Sequence, residues 1–209
     1  NSLDPKQTKL PYKRNLSVSW GKKFLKNHQF YIIGAFDNKF QYQEGVSREI
    51  TATGAENPFR NFTYKRYLQN TSHLLMGNVE LNFNKHKLSY NTLYIHSATA
   101  YLSDLYGKES ETFQIAEDFN SEGLTRRQQV NDNSIFVNQF IGSGKLSNKI
   151  KYNIGAALNN IIGKEPDRRI FRFPSIGNGN IQLAIGEGRN ERFNSKITET
   201  SFIPKINVQ

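Results

Sequence analysis

The stretch Lys149-Ile150-Lys151-Tyr152-Asn153-Ile154-Gly155-Ala156-Ala157-Leu158-Asn159 decides the fold. Ile150, Tyr152, Ile154, Ala156 and Leu158 occupy every second position, and Lys149, Lys151, Asn153 and Asn159 fall between them. A β-strand sends successive side chains to opposite sides, so this spacing builds one apolar and one polar face. The alternation recurs upstream. Leu16, Val18, Trp20 and Phe24 oppose Asn15, Ser17, Ser19 and Lys23. Phe30, Ile32, Phe36, Phe40 and Tyr42 oppose Asp37, Lys39, Gln41 and Gln43. Leu75, Val79, Leu81 and Phe83 oppose Ser72, Asn78, Glu80 and Asn82. Two runs, about 88–102 and 128–141, carry apolar residues on both faces, as where Leu93 and Ile95 flank Tyr94; a bulge or a contact inside a lumen gives that pattern. A last run over Ser195 to Gln209 has Phe202, Ile206 and Val208, with Pro204 interrupting.

The connections alternate between short and long. Lys26-Asn27-His28, Asn84-Lys85-His86-Lys87 and Gly142-Ser143-Gly144-Lys145-Leu146-Ser147-Asn148 read as tight turns, with Asn and Gly where positive φ is easy. Polar segments over about 44–68, 104–125 and 163–197 read as long loops. A compact soluble domain rarely holds three such loops. A transmembrane barrel has short turns on one side and long loops on the other. Strands of about 10–14 residues suit a tilted crossing. The expected fold is therefore all-β: an antiparallel transmembrane β-barrel segment of about six or seven up-and-down strands over residues 1–209. Because eight strands is about the smallest usual barrel, further strands are expected to complete it.

Composition agrees. Hydrophobic residues make up 36% of the 209 residues and aromatics 12%, with 15 Phe and 10 Tyr. The apolar share is low for a large soluble core, and the aromatic share is high for a disordered chain. The formal charge is +10. That excess is dispersed, which argues against a nucleic-acid groove and suits phosphate-rich lipid head groups. With no cysteine, disulfides and thiolate metal sites are excluded. No apolar run approaches the length of a membrane helix. The start, Asn1-Ser2-Leu3-Asp4, lacks a basic-then-apolar leader pattern, so the membrane reading expects any leader to be removed or to lie elsewhere.

Three stretches carry a resemblance to the N-terminal part of the barrel of TonB-dependent outer-membrane receptors of the Bacteroidetes type. They are Leu10-Pro11-Tyr12 with Leu16-Ser17-Val18-Ser19-Trp20-Gly21-Lys22-Lys23-Phe24, then Phe40-Gln41-Tyr42-Gln43-Glu44-Gly45, then Glu165-Pro166-Asp167-Arg168-Arg169. The last is similar to a sequence that these receptors carry where a strand enters an extracellular loop. The resemblance implies a barrel of about 22 strands around a plug. It implies location in the bacterial outer membrane and import of a metal chelate, glycan or peptide. It also implies TonB as a partner through a plug not seen in this sequence, a surface lipoprotein partner, and contact with outer-membrane lipid and lipopolysaccharide.

Candidate residues fall into groups. Trp20, Tyr31, Tyr42, Tyr90, Tyr94 and Tyr152 suit the aromatic girdle of a membrane strand, or ordinary strand packing. Tyr64, Lys65, Arg66 and Tyr67 interleave bases and aromatics in an expected loop, where they could contact a ligand or extend a strand beyond the membrane. Glu165, Asp167, Arg168 and Arg169 could bind substrate in an outer vestibule or form a local salt-bridge cluster at the base of a loop. His28, His73, His86 and His96 have no partner at zinc-like spacing, so neither a metal nor a cofactor is expected. His96-Ser97 lacks an oxyanion loop and a third member, and no catalytic residue is expected. Two alternatives stand beside the receptor: a passive porin or assembly subunit, and a soluble basic all-β binding protein whose apolar stripes would meet another sheet.

Overall fold

The structure is a computed structural model that describes residues 12–25, 27–49, 60–109, 122–184 and 190–209. Leu10 and Pro11 of the first resembling stretch, and Lys26 of the first turn, lie outside these residues. Eight strands follow in order: β1 Arg14–Phe24, β2 His28–Glu49, β3 Arg60–Phe83, β4 His86–Glu109, β5 Glu122–Lys145, β6 Lys151–Gly177, β7 Asn180–Ile181 and β8 Glu191–Val208. Seven are long. β7 is a two-residue strand folded back on the end of β6 through Gly177, Asn178 and Gly179, all with positive φ. The sheet is antiparallel throughout, and its long strands follow chain order, with β8 paired to β6. Among the described residues it is not closed: β1 and β8 are its edges.

The strands exceed expectation. β2 to β6 have 22, 24, 24, 24 and 27 residues, not about 10–14. Their outer parts occupy much of what reads in sequence as loop at 44–68, 104–125 and 163–197. Polar side chains lie on both faces there, mixed with apolar ones such as Leu102, Leu124, Ile170 and Phe171, which erases the alternation. The backbone ladder pairs regardless of side-chain polarity. The turns are correspondingly displaced. Leu25, with φ 45°, opens the β1–β2 turn, and β2 already begins at His28. The β3–β4 turn is Asn84-Lys85 alone, with Asn84 at φ 48°; His86 and Lys87 belong to β4. Gly142, Ser143 and Gly144 lie inside β5, and the β5–β6 turn spans 146–150, where Ser147 Oγ accepts the N–H groups of Lys149 and Ile150 at 3.2 Å.

Paired residues in a ladder face the same way, so the register tests whether the stripes coincide. They do. Trp20 opposes Ile32, Phe30 opposes Val79, Leu75 opposes Tyr94, Tyr90 opposes Phe140, and Leu158 opposes Phe202. One face therefore carries a largely apolar band next to the short turns, interrupted by the hydrogen-bonded Thr92, Asn138, Asn160 and Thr200. Among the described residues no second layer covers it: Trp20 is 59% exposed, Phe140 54% and Ile206 78%. Phe62 and Ala184 are the only buried hydrophobic residues described.

The opposite face is polar near the turns. Asn78 Nδ2 donates to Asn91 Oδ1 at 2.5 Å, Asn91 Nδ2 donates to Gln139 Oε1 at 3.1 Å, and Lys87 pairs with Glu80 at 2.8 Å. Higher up it holds two apolar rows, Ile33-Met76-Leu93-Val137 and Ala35-Leu74-Ile95-Ile135. These rows account for the doubly apolar runs over 88–102 and 128–141.

β6 carries one extra residue near Pro166, relative to both β5 and β8. A bulge accommodates a proline because the ladder is already interrupted there. Tyr152 to Lys164 present even-numbered residues to the banded face. Beyond the bulge, Asp167, Arg169, Phe171 and Phe173 do so, opposite Val130, Gln128, Arg126 and Leu124.

Candidate functional site

The polar outer half of the sheet gathers the candidate ligand residues, but in strands. Tyr64, Lys65, Arg66 and Tyr67 lie within β3, and Glu165, Asp167, Arg168 and Arg169 lie within β6, which continues to Gly177. Neither group is in a loop or at its base. The register puts both in one tier: Tyr67 opposes Leu102, which opposes Gln128, which opposes Arg169. Three strand spacings, about 14 Å, separate them.

Alternation then splits each group. Lys65, Tyr67, Asp167 and Arg169 share the banded face. There Asp167 receives Arg169 at 2.5 Å and Arg192 of β8 at 3.1 Å. The Arg169 guanidinium, helped by Arg192, holds the Asp167 carboxyl below the usual carboxylate range. Asp104 and Arg126 form a two-pronged pair at 2.7 and 2.8 Å on the same face. These charges satisfy one another.

Tyr64, Arg66 and Arg168 turn to the opposite face, with Glu165 beside Arg168 at 3.6 Å. The register adds residues that the sequence reading left out. Arg127 sits across from Ser103 and stacks 5.6 Å over the Tyr101 ring. Tyr101 and Arg127 both donate to Gln129 Oε1, at 2.5 and 2.7 Å, and Gln129 Nε2 donates to Asn131 at 3.0 Å. Arg66 lies 5.7 Å over Tyr64, and Arg168 4.4 Å over Phe193. The buried Ser103 Oγ, Thr125 Oγ1 and Arg168 Nε have no hydrogen-bond partner among the described residues. Planar donors and aromatic rings on one surface suit carboxylates, phosphates or sugar hydroxyls.

Trp20, Tyr42, Tyr90, Tyr94 and Tyr152 all point to the banded face, and Tyr31 to the other. They stand at different heights. Tyr152 is beside the turn, Tyr90, Tyr94 and Trp20 lie within the band, and Tyr42 lies above it, its ring 5.0 Å from that of Tyr67 and tilted 42° to it. Tyr42 donates its hydroxyl hydrogen bond to Glu44, which pushes the phenol up to about 12.

The histidines are also rearranged. His86 reaches Tyr152 Oη at 2.9 Å across Gly144, where a Cβ would meet His86 Nδ1 at 2.5 Å. His73 and His96, far apart in sequence, are directly opposed in the β3–β4 ladder. A two-residue turn at Asn84-Lys85 imposes that pairing, whereas a turn extended through Lys87 hides it.

No protein-family model matches this sequence, and no curated protein matches it. Among the described residues no helix is long and apolar enough to cross a membrane, which says nothing of crossing by strands.

Proposed function

We propose that this chain is part of the wall of an outer-membrane β-barrel, and that the barrel is a TonB-dependent receptor importing a scarce metal chelate, glycan or peptide. The observation that carries this reading is the uncovered apolar band on one face of a sheet whose other face is hydrogen-bonded and polar near the turns. On β6 the band runs from Tyr152 to Ile162. At about 3.3 Å per residue and a tilt of about 40°, that stretch rises about 25 Å, the apolar height of an outer-membrane barrel. A soluble sheet would cover such a band with a second layer.

The apolar rows on the opposite face favour a receptor over a passive porin. Ile33, Leu74, Met76, Leu93, Ile95 and Val137 would line a water-filled pore at a cost, whereas a protein plug would cover them. The tier of Tyr64, Arg66, Tyr101, Arg127 and Arg168 then faces the outer vestibule, where incoming ligand is first met. Lys164 and Lys196, opposed just above the band, suit the phosphates of lipopolysaccharide.

The band is tested with a dye on cysteines introduced at Leu158 and at Asn153, in the native polypeptide that carries these residues. Brominated lipid quenches the dye at position 158 and not at 153; equal quenching sinks the membrane reading. Import is tested by nutrient uptake with and without TonB, and uptake indifferent to TonB removes the receptor reading while leaving the barrel.

A further inference from the structure

We propose that His73 and His96 form a two-histidine site for a divalent transition-metal ion, with Asp132 as its positioning residue. The two side chains face each other across the β3–β4 ladder at the upper margin of the apolar band, with their Nδ1 atoms 3.1 Å apart. Asp132 of β5 lies 2.7 Å from His96 Nε2. An ionised carboxylate only accepts, so His96 Nε2 carries the proton and its Nδ1 holds a lone pair. Metal-bound histidines are oriented by the same contact, a carboxylate on the far ring nitrogen. Without an ion, His73 donates from Nδ1 to that lone pair. With one bound, His73 carries its proton on Nε2 and offers Nδ1 as the second ligand.

The spacing fits. With metal–nitrogen bonds of about 2.0–2.1 Å, nitrogens 3.1 Å apart subtend about 98° at the ion, between square-planar and tetrahedral angles. The ring planes are 22° apart, and rotation about Cβ–Cγ, a soft torsion, aims both lone pairs at one point. Among the described residues no group of three or more His, Cys, Asp or Glu converges on a common ion position. Water therefore fills the other positions, and imidazole ligands with the usual affinity order favour Cu²⁺, then Ni²⁺ or Zn²⁺. Room exists: a shallow groove of about 660 Å³ runs beside the pair, past Phe36, Leu75 and Tyr94, and opens at Gly34, where a Cβ would meet nothing within 4 Å. Lys164 of β6 stands opposite Asp132 in the ladder, and the Phe36 ring of β2 lies 5.1 Å from His73.

The test is Cu²⁺ binding to the detergent-purified native polypeptide that carries these residues, read by calorimetry and electron paramagnetic resonance. We expect a signal from two nitrogen ligands that is lost in His73→Phe and in His96→Phe, variants that keep a ring at each ladder position. Asp132→Asn lowers the affinity about 10- to 100-fold while keeping the two-nitrogen signature, and Asp132→Glu restores part of the loss. A two-nitrogen signal that survives in both histidine variants overturns the site, as does its absence from the wild type. Where a Phe variant fails to assemble, ¹⁵N-histidine labelling of the wild type decides: two coupled histidine nitrogens support the site, and fewer refute it.

Discussion

Leu158→Arg, compared with Ile154→Arg and Asn153→Arg, probes the apolar band most directly. All three positions lie on β6. Leu158 opposes Asn138 and Phe202, Ile154 opposes Gly142 and Ile206, and both point into the band, 48% and 47% exposed. Asn153 opposes Ser143 and Asn207 on the other face. The band's midpoint on β6 falls near residue 157, so Leu158 stands within about 3 Å of the bilayer centre and Ile154 about 8 Å from it. Arginine on the lipid face costs about 2–4 kcal/mol at the centre and about 0–1 near an interface. The expected order is about 2–4 kcal/mol for Leu158→Arg, about 1–2 for Ile154→Arg and under about 1 for Asn153→Arg. The largest corresponds to roughly a 30- to 900-fold shift in the folding equilibrium. Urea titration of the native polypeptide in lipid vesicles, followed by heat-modifiable mobility, measures it. Equal costs at 153 and 158 would refute the assignment of faces, and equal costs at 154 and 158 would refute the depth.

Other outcomes follow from the outer half of the sheet. Arg127→Ala, alone and with Arg66→Ala, should lower ligand uptake at least several-fold while leaving the amount of assembled barrel unchanged; uptake assays with surface labelling separate the two. Gly107→Val drives a Cβ into the carbonyl oxygen of Asn61, costing about 1–3 kcal/mol locally, and should speed hydrogen exchange in the outer parts of β3 and β4 without affecting their turn ends. Because Arg169 depresses the Asp167 carboxyl, its contribution to stability is fully present above the ordinary carboxylate range and is lost as pH falls through the depressed value. The difference between wild type and Asp167→Asn should accordingly vanish in strong acid, as read from unfolding midpoints against pH. Tyr42 should ionise only near pH 12 and return toward pH 10 in Glu44→Gln, seen as the difference in phenolate absorbance against Tyr42→Phe.

The strand pattern is legible where one face is apolar. Ile154, Leu158, Val79 and Phe36 declare their strands because each alternates with a polar neighbour. The outer halves are not legible, because Lys65, Arg66, Gln128 and Arg168 are polar whichever face they take. Pairing there comes from backbone groups that have no sequence signature. The candidate site suffered from the same cause. Arg127, Gln129 and Tyr101 become neighbours only when β4 and β5 are aligned, and that alignment rests on turn length. Reading Asn84 to Lys87 as a four-residue turn shifts β4 by two positions, which preserves faces but moves His96 away from His73. Faces are thus cheap to read and partners are not.

The bulge at Pro166 gives β6 something like a reading frame. Its apolar band is written in even numbers, and its outer surface in odd ones. Straightening the strand there without losing a residue would exchange inside for outside beyond it: Arg168, Ile170 and Arg172 would take the face of Asp167, Arg169 and Phe171. Deleting one residue at 165–167 instead restores one-to-one pairing and keeps every downstream side chain on its present face. For variation at this surface, the bulge is therefore the place where β6 can lose a residue without re-addressing its outer wall.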